Sequence, residues 1–335
     1  MAHSDQHAFI GYRVRRDIFT SKGTLLLPSG TVLKAKHADL LRANGITLGT
    51  DDVTDLKLAD ETQILEAVME IKEIFGKVQA EGSLPIDWVK DRVLPKVMDL
   101  TSRHANLLDM LRFLHDKDEY TYRHTFAVGV IASMIGRWLG IRGQELIRLS
   151  MSASVHDIGK SLVASEILLK PGRLTAEEFD AMKEHAKIGY RLLKDEAVDE
   201  VIALVALQHH EREDGTGYPD GVRAEQIHLF SKIVAVADVF HAMTSNRVYK
   251  AALPYYEVMT LMWEGKLGSF QRNILNLFIK HIMELHIGKS VVLNDGSPGK
   301  IVYVSSSAPL QPLVSRYGVL IDLRLEQELN IREMV

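Results

Sequence analysis

No cysteine occurs in the chain. That excludes disulfides, thiolate nucleophiles and cysteine-based zinc sites together, and it fits a reducing compartment. Long apolar runs are missing as well. The longest uninterrupted one, Val201 to Leu207, has the length of a buried helical segment and falls far short of the ~18–20 residues a bilayer span needs. Nor is there a basic start followed by an apolar stretch: Met1 to Phe9 is polar and histidine-bearing, so no secretory signal is expected. Charge of one sign is not in excess. Lys and Arg total 40 against 44 Asp and Glu, a net of −4. This balance argues against gripping polymeric nucleic acid over a whole face, but leaves room for a local basic pocket that takes one small anion. The expectation from these absences is a cytoplasmic protein without membrane contact.

What is present is an ordinary globular mixture, 46% hydrophobic and 25% charged, in 335 residues. That is more than one compact core usually holds. Leu25-Leu26-Leu27 and Thr31-Val32-Leu33 flank Pro28-Ser29-Gly30 and predict two short strands about a turn. A short helix over Lys36–Ala43 follows and stops at Gly45, giving a small α/β module over residues 1–58. Residues 59–118 change to helical spacing. Ile64, Leu65, Val68, Ile71 and Phe75 share one face, and Val93, Val97, Leu100, Leu107, Leu108, Leu111 and Leu114 continue the pattern. Such a stripe serves either as packing against the next domain or as a dimer seam. Residues 119–286 read as helical throughout, over Thr125–Leu139, Glu145–Val155, Thr175–Leu193, Val198–His209 and Leu229–Thr244. Thr175 and Glu178 form a capping-box start. Residues 287–335 read as a small β unit, with strands at Val291–Leu293, Ile301–Val304 and Val319–Leu323. The predicted fold class is mainly α, a helical bundle flanked by a small N-terminal α/β module and a small C-terminal β unit.

Half of the 14 histidines fall between His124 and His241. His124 lies near a helix start, His156-Asp157 end an apolar helix, His185 sits on another, His209-His210 close a fourth, and Asp238 lies inside Ile233–Phe240. Taken singly these are weak signals, since a lone histidine is more often a surface or hydrogen-bonded residue. Asp238 is stronger, because a carboxylate within Val234-Ala235-Val236-Ala237-Asp238-Val239-Phe240 is costly to bury without a cation. Imidazole and carboxylate together suit first-row divalent metals such as iron, manganese or zinc. A carboxylate can bridge two ions and an imidazole nitrogen cannot. Asp157 is therefore the natural bridge, with His124, His156 and Asp238 completing one ion and His185, His209 and His210 a second. Two ions ~3.5–4 Å apart can hold a bridging water, lower its pKa and present hydroxide for in-line attack on a phosphodiester.

Three blocks in order carry a specific resemblance: His156-Asp157-Ile158-Gly159-Lys160, then Lys170-Pro171-Gly172-Arg173-Leu174-Thr175, then His209 to Gly221 with Gly217-Tyr218-Pro219 inside it. With Val236-Ala237-Asp238-Val239-Phe240 and Arg247-Val248-Tyr249-Lys250, they resemble the HD-GYP family over about Tyr120 to Leu285. An HD dipeptide alone would mean almost nothing.

The resemblance implies an all-helical phosphohydrolase domain of the HD superfamily. It also implies a two- or three-metal iron or manganese centre and cyclic di-GMP phosphodiesterase activity giving pGpG, GMP or both. His124, His156, Asp157, His185, His209, His210 and Asp238 would be the ligands, and Asp157 and Lys160 the catalytic pair. Lys160, Tyr218, Arg247 and Lys250 would meet the cyclic dinucleotide substrate. The chain departs from the family at Tyr120, where three-metal members carry Glu, at His241, where Asp is usual, and at Val248, where Pro is usual. Two metals are therefore expected. A catalytically weak cyclic-dinucleotide-binding regulator, and a phosphohydrolase for another nucleotide, stand as alternatives. A homodimer or a regulatory protein partner is left open.

Overall fold

The computed structural model describes residues 9–54, 56–103, 119–246, 252–326 and 328–334. The chain forms two compact units, Met1–Leu65 and Glu66–Val335. In the first, strands β1 (Arg13–Val14), β2 (Ile18–Phe19) and β3 (Leu25–Leu27), helix α1 (Ala35–Ala43) and strand β4 (Val53–Thr54) follow in order. β1 pairs antiparallel with β4, and β2 with β3. Val14, Ile18, Leu27, Leu33, Leu41, Leu48 and Val53 bury together as its core. The strand predicted after Gly30 is reduced to one bridge between Val32 and Arg13. The chain turns at Gly30, whose φ is +84°, and Thr31 and Gly30 spend their backbone groups on Val14 instead of on β3.

Helix α2 (Leu56–Glu81) carries the chain into the second unit. A short helical turn at Ile86–Trp88 and a π-helical turn at Val89–Val93 lead into α3 (Leu94–Arg103). Leu107, Leu108, Leu111 and Leu114 lie outside the described residues. The bundle proper comprises α4 (Tyr120–Trp138), α5 (Gly143–Ser154), α6 (Ala176–Lys183), α7 (His185–Asp195), α8 (Glu200–Gln208), α9 (Leu229–Thr244), α10 (Tyr255–Trp263) and α11 (Arg272–Glu284). Every residue of α4 from Arg123 to Gly136 is buried, as befits a helix apolar on all sides. α4 packs against α3, α5 and α9 and forms the centre of the unit. Its buried stretch, from Arg123 onward, already holds His124.

The single helix predicted over Thr175–Leu193 is two. α6 starts at the expected box, in which Thr175 Oγ1 accepts from the Glu178 backbone and Glu178 Oε2 accepts from the Thr175 backbone at 2.7 Å. It ends at Lys183, and α7 begins at His185, whose Nδ1 lies 2.7 Å from the Met182 carbonyl. A ring bonded back to the preceding turn marks the break and fixes where the imidazole points.

The tail is a five-stranded antiparallel sheet of β5 (Ser290–Leu293), β6 (Pro298–Tyr303), β7 (Leu313–Arg316), β8 (Val319–Asp322) and β9 (Ile331–Met334), in the order β8-β7-β6-β5-β9. β7 and β9 escape the sequence reading because Leu-Val-Ser-Arg and Ile-Arg-Glu-Met are short and half polar. Sheet neighbours, rather than their own apolar content, hold them extended.

One backbone contact positions the future site. A Cβ built on Gly159 would stand 1.9 Å from the His185 carbonyl oxygen and 2.6 Å from the Gly189 nitrogen. Only glycine lets the turn after Asp157 press onto the start of α7. Gly159→Ala is expected to cost at least the ~1–3 kcal/mol typical of overpacking, read as a fall in the urea midpoint at unchanged m-value. A midpoint equal to the parent's would show that this contact carries no such constraint.

Candidate metal centre

The histidines and aspartates singled out in the sequence arrive from five places in the second unit. His124 lies one turn into α4, His156-Asp157 in the turn after α5, and His185 at the first position of α7. His209-His210 come just past the end of α8, and Asp238 is in the middle of α9. His124, His156, Asp157, His185 and His209 are essentially inaccessible, and Asp238 nearly so. Asp157 sits at the middle. Its Oδ2 lies 3.4 Å from His156 Nε2 and 3.8 Å from His124 Nε2, and its Oδ1 3.4 Å from His185 Nε2 and 3.6 Å from His209 Nε2. Asp238 closes the other side, 3.0 Å from His124 Nε2 and 3.7 Å from His210 Nδ1. Two sets, Asp157 with His185, His209 and His210, and Asp157 with His124 and His156, each bring their ligand atoms within 4.8 Å of one another. Asp157 is common to both.

Hydrogen bonds on the far side of the rings decide what these atoms offer. His156 Nδ1 lies 2.8 Å from the Ala153 carbonyl, His185 Nδ1 2.7 Å from that of Met182, and His209 Nδ1 3.0 Å from that of Ala206. A carbonyl only accepts, so each Nδ1 carries the proton. In the neutral rings each Nε2 therefore turns a lone pair inward. Those lone pairs face carboxylate oxygens and one another, with His185 and His209 Nε2 3.4 Å apart. His156 Nε2 and Asp157 Oδ1 are buried without a hydrogen-bond partner. Electron pairs set against electron pairs in a buried place repel unless a cation stands among them. The donor set of imidazole and carboxylate suits divalent first-row ions.

The electrostatics agree. Burial alone would raise the Asp157 carboxyl, but the adjacent Lys160 and His156 hold it well below the usual carboxylate range. Burial is likewise overcome at Asp238, where the hydrogen bond from His124 and the nearby His210 keep the acid ionised. Burial lowers His124, His209 and His210, and takes His185 down to about 3. His156 alone is raised: against burial, its neighbour Asp157 favours the charged ring.

Around this centre, Lys160 Nζ reaches Asp157 Oδ2 at 2.6 Å and keeps a fifth of its side chain exposed. Tyr218 stacks on His210, with ring centroids 4.5 Å apart, and its edge meets Phe179. Burial and the two aspartates push its phenol upward, so it stays a donor. A Cβ on Gly217 would meet the His210 carbonyl at 2.4 Å, so the loop folds back onto the ligand pair only with glycine there.

The sequence reading missed Glu211 and Arg212. Glu211 is buried, and its Oε1 accepts from the backbones of Asp220 and Gly221 at 2.8 and 3.1 Å, which clamps the loop that carries Tyr218. Arg212 donates to the carbonyls of Glu211 and His209 and lies over the Phe270 ring. Their only signal was two long charged side chains directly after the histidine pair. Glu119, beside Tyr120, pairs with Lys72 at 2.7 Å, while the Tyr120 ring stacks on His124. Arg247, Val248 and Lys250 lie outside the described residues.

The HD-domain family description matches residues 109–274. The chain is 37% identical over 213 residues to a cyclic di-GMP phosphodiesterase of Pseudomonas aeruginosa, covering 63% of this chain and 51% of that protein. The chain carries an HD domain of the HD-GYP type. A further relative is the cyclic di-GMP phosphodiesterase response regulator RpfG of Xanthomonas campestris pv. campestris, 40% identical over 167 residues, 49% of this chain and 44% of the relative. The chain thus spans about half the length of these curated relatives. A solved HD-GYP-type protein from Bdellovibrio bacteriovorus shares the fold of this HD-GYP chain at a TM-score of 0.56 and 16% identity, over 80% of this chain and 93% of that one. Among the described residues no helix is long and apolar enough to cross a membrane.

The shifted histidines set how the metal-free HD-GYP chain responds to acid. The unfolded chain takes up protons near the ordinary histidine value of 6.5, whereas folded His124, His185, His209 and His210 resist them to lower pH. Stability therefore falls as pH drops below ~6.5, by about 1.4 kcal/mol per pH unit for each unmatched proton. His156, raised, works in the opposite sense, one group against four. Chelator-treated protein is expected to show a lower urea midpoint at pH 5.5 than at pH 7; a higher one would contradict these burial-driven shifts.

Proposed function

We propose that this chain is a metal-dependent phosphodiesterase that hydrolyses cyclic di-GMP to pGpG, GMP or both. The observation that carries the proposal is the buried meeting of inward-facing imidazole lone pairs with the ionised Asp157, whose Oδ1 has no hydrogen-bond partner. In this reading Asp157 joins two ions, iron or manganese. His124, His156 and Asp238 complete the first, and His185, His209 and His210 the second. When bound, such a pair supplies Lewis acidity and the nucleophile for in-line attack on a phosphodiester. Tyr120 in place of Glu, and Glu119 engaged with Lys72, favour two ions over three.

The chain's own residues do the rest. Lys160 keeps Asp157 ionised and presents its partly exposed ammonium toward a phosphate oxygen. Tyr218, held protonated and stacked on His210, lines the pocket and donates to the substrate. Arg247 and Lys250 are proposed as further phosphate contacts. Lys160 brings local positive charge to the centre within a chain of net charge −4. The choice of cyclic di-GMP rests on the activities for which the two relatives are named.

The test is elemental analysis of protein purified without added metal, followed by assay of a panel of cyclic dinucleotides with the iron- or manganese-loaded chain. About two ions per chain and conversion of cyclic di-GMP are expected, and Asp157→Ala should lower turnover by more than ~100-fold, beyond the range of an outer-shell loss. Two-metal protein that releases no product from any cyclic dinucleotide overturns the enzymatic reading; tight binding without turnover would make the chain a regulator instead.

A further inference from the structure

We infer that His241 is a positioning residue that fixes the tautomer of His124 and thereby hands its Nε2 to the metal centre. The inference rests on the metal reading above and goes beyond it, because His241 belongs to neither ligand set. Its Nδ1 lies 3.0 Å from His124 Nδ1, and both rings are buried. The ring centroids are 5.2 Å apart and tilted by 42°, a nitrogen-to-nitrogen approach and not a ring stack.

Proton counting settles the arrangement. Two Nδ1 atoms at 3.0 Å hold one proton between them: with none, lone pair faces lone pair, and with two, N–H faces N–H. His124 Nε2 faces Asp238, at 3.0 Å, and Asp157. Without an ion, Nε2 donates to Asp238; to ligate, it must present a lone pair, so the ring's proton then sits on Nδ1 and is donated to His241 Nδ1. The His241 proton then sits on Nε2, which lies 3.2 Å from the buried Ser245 Oγ. The chain of contacts therefore runs from the centre through His124 and His241 to Ser245, with each donor meeting an acceptor.

His124 differs here from its fellows. His156, His185 and His209 are steered by backbone carbonyls, which no side-chain substitution removes, whereas His124 is steered by a side chain. That partner is a neutral imidazole, which polarises the ligating ring less than a carboxylate would. Outer-shell partners of ligating histidines typically set metal affinity by ~10–100-fold.

The experiment titrates the full-length parent, His241→Phe and His241→Asp with Mn²⁺ against a chelator, and records histidine ¹⁵N spectra of the Zn²⁺-loaded parent. His241→Phe fills the space and removes the acceptor, so one of the two ions should weaken by ~10–100-fold while the other holds. His241→Asp restores an acceptor and should hold that ion at least as tightly as the parent. The spectrum should show His124 protonated on Nδ1. Equal affinities for both ions within twofold in His241→Phe, or His124 protonated on Nε2 in the loaded parent, overturn the inference. The parent spectrum decides the matter even if the Phe variant fails to fold. A parent that takes up no ion at all overturns the metal reading itself, an outcome distinct from either.

Discussion

A carboxylate buried among imidazoles is the interaction around which the second unit is arranged. Asp157 is about 1% exposed, and in water its charge would be fully solvated. Inside the bundle it keeps that charge only because Lys160 and His156 stand beside it. Desolvating an ion without compensation costs several kcal/mol, so the surrounding helices are committed to supplying positive charge there. The protein supplies part of it through Lys160. The geometry of the Nε2 atoms is compatible with a divalent metal as the remainder.

The backbone bears most of the work of assembling this arrangement. α4 is buried continuously from Arg123, so His124 has no solvent-facing alternative. His185 caps the break between α6 and α7 with its own ring, and Gly159 lets the Asp157 turn approach that break to backbone distance. On the opposite side Gly217 lets the loop return onto His210, and Glu211 pins its far end. Helix ends and glycine contacts, not apolar side chains, set the register of the ligands. The apolar core behind them, from Phe126 to Ile135, holds the ends steady.

Much of this was legible in the residues. Asp238 inside an unbroken apolar helix demands a cation, α9 begins and ends at Leu229 and Thr244 as the periodicity predicts, and the capping box at Thr175 forms. The break after Lys183 was not legible, because apolar spacing runs through it and the deciding bond belongs to a ring that helix propensity does not weigh. β7 and β9 were missed for the related reason that pairing, not composition, makes them strands. Glu211 and Arg212 look like solvated charges in a line of text. They act through backbone atoms that become their neighbours only after the loop has closed.

The departures from the family pattern that fall on described residues gather around His124. Tyr120 stacks its ring on His124 with a centroid separation of 5.5 Å, and His241 meets the same histidine from the other nitrogen. His185 and His209, on the other side of Asp157, are held by backbone carbonyls of the helices that precede them. Three of the rings, His156, His185 and His209, are thus oriented by main chain, whereas the outer nitrogen of His124 meets a side chain. A main-chain acceptor is fixed as firmly as the helix that presents it, whereas side-chain partners can be exchanged without disturbing the fold. Of these four rings, His124 is the one whose outer partner is an exchangeable side chain.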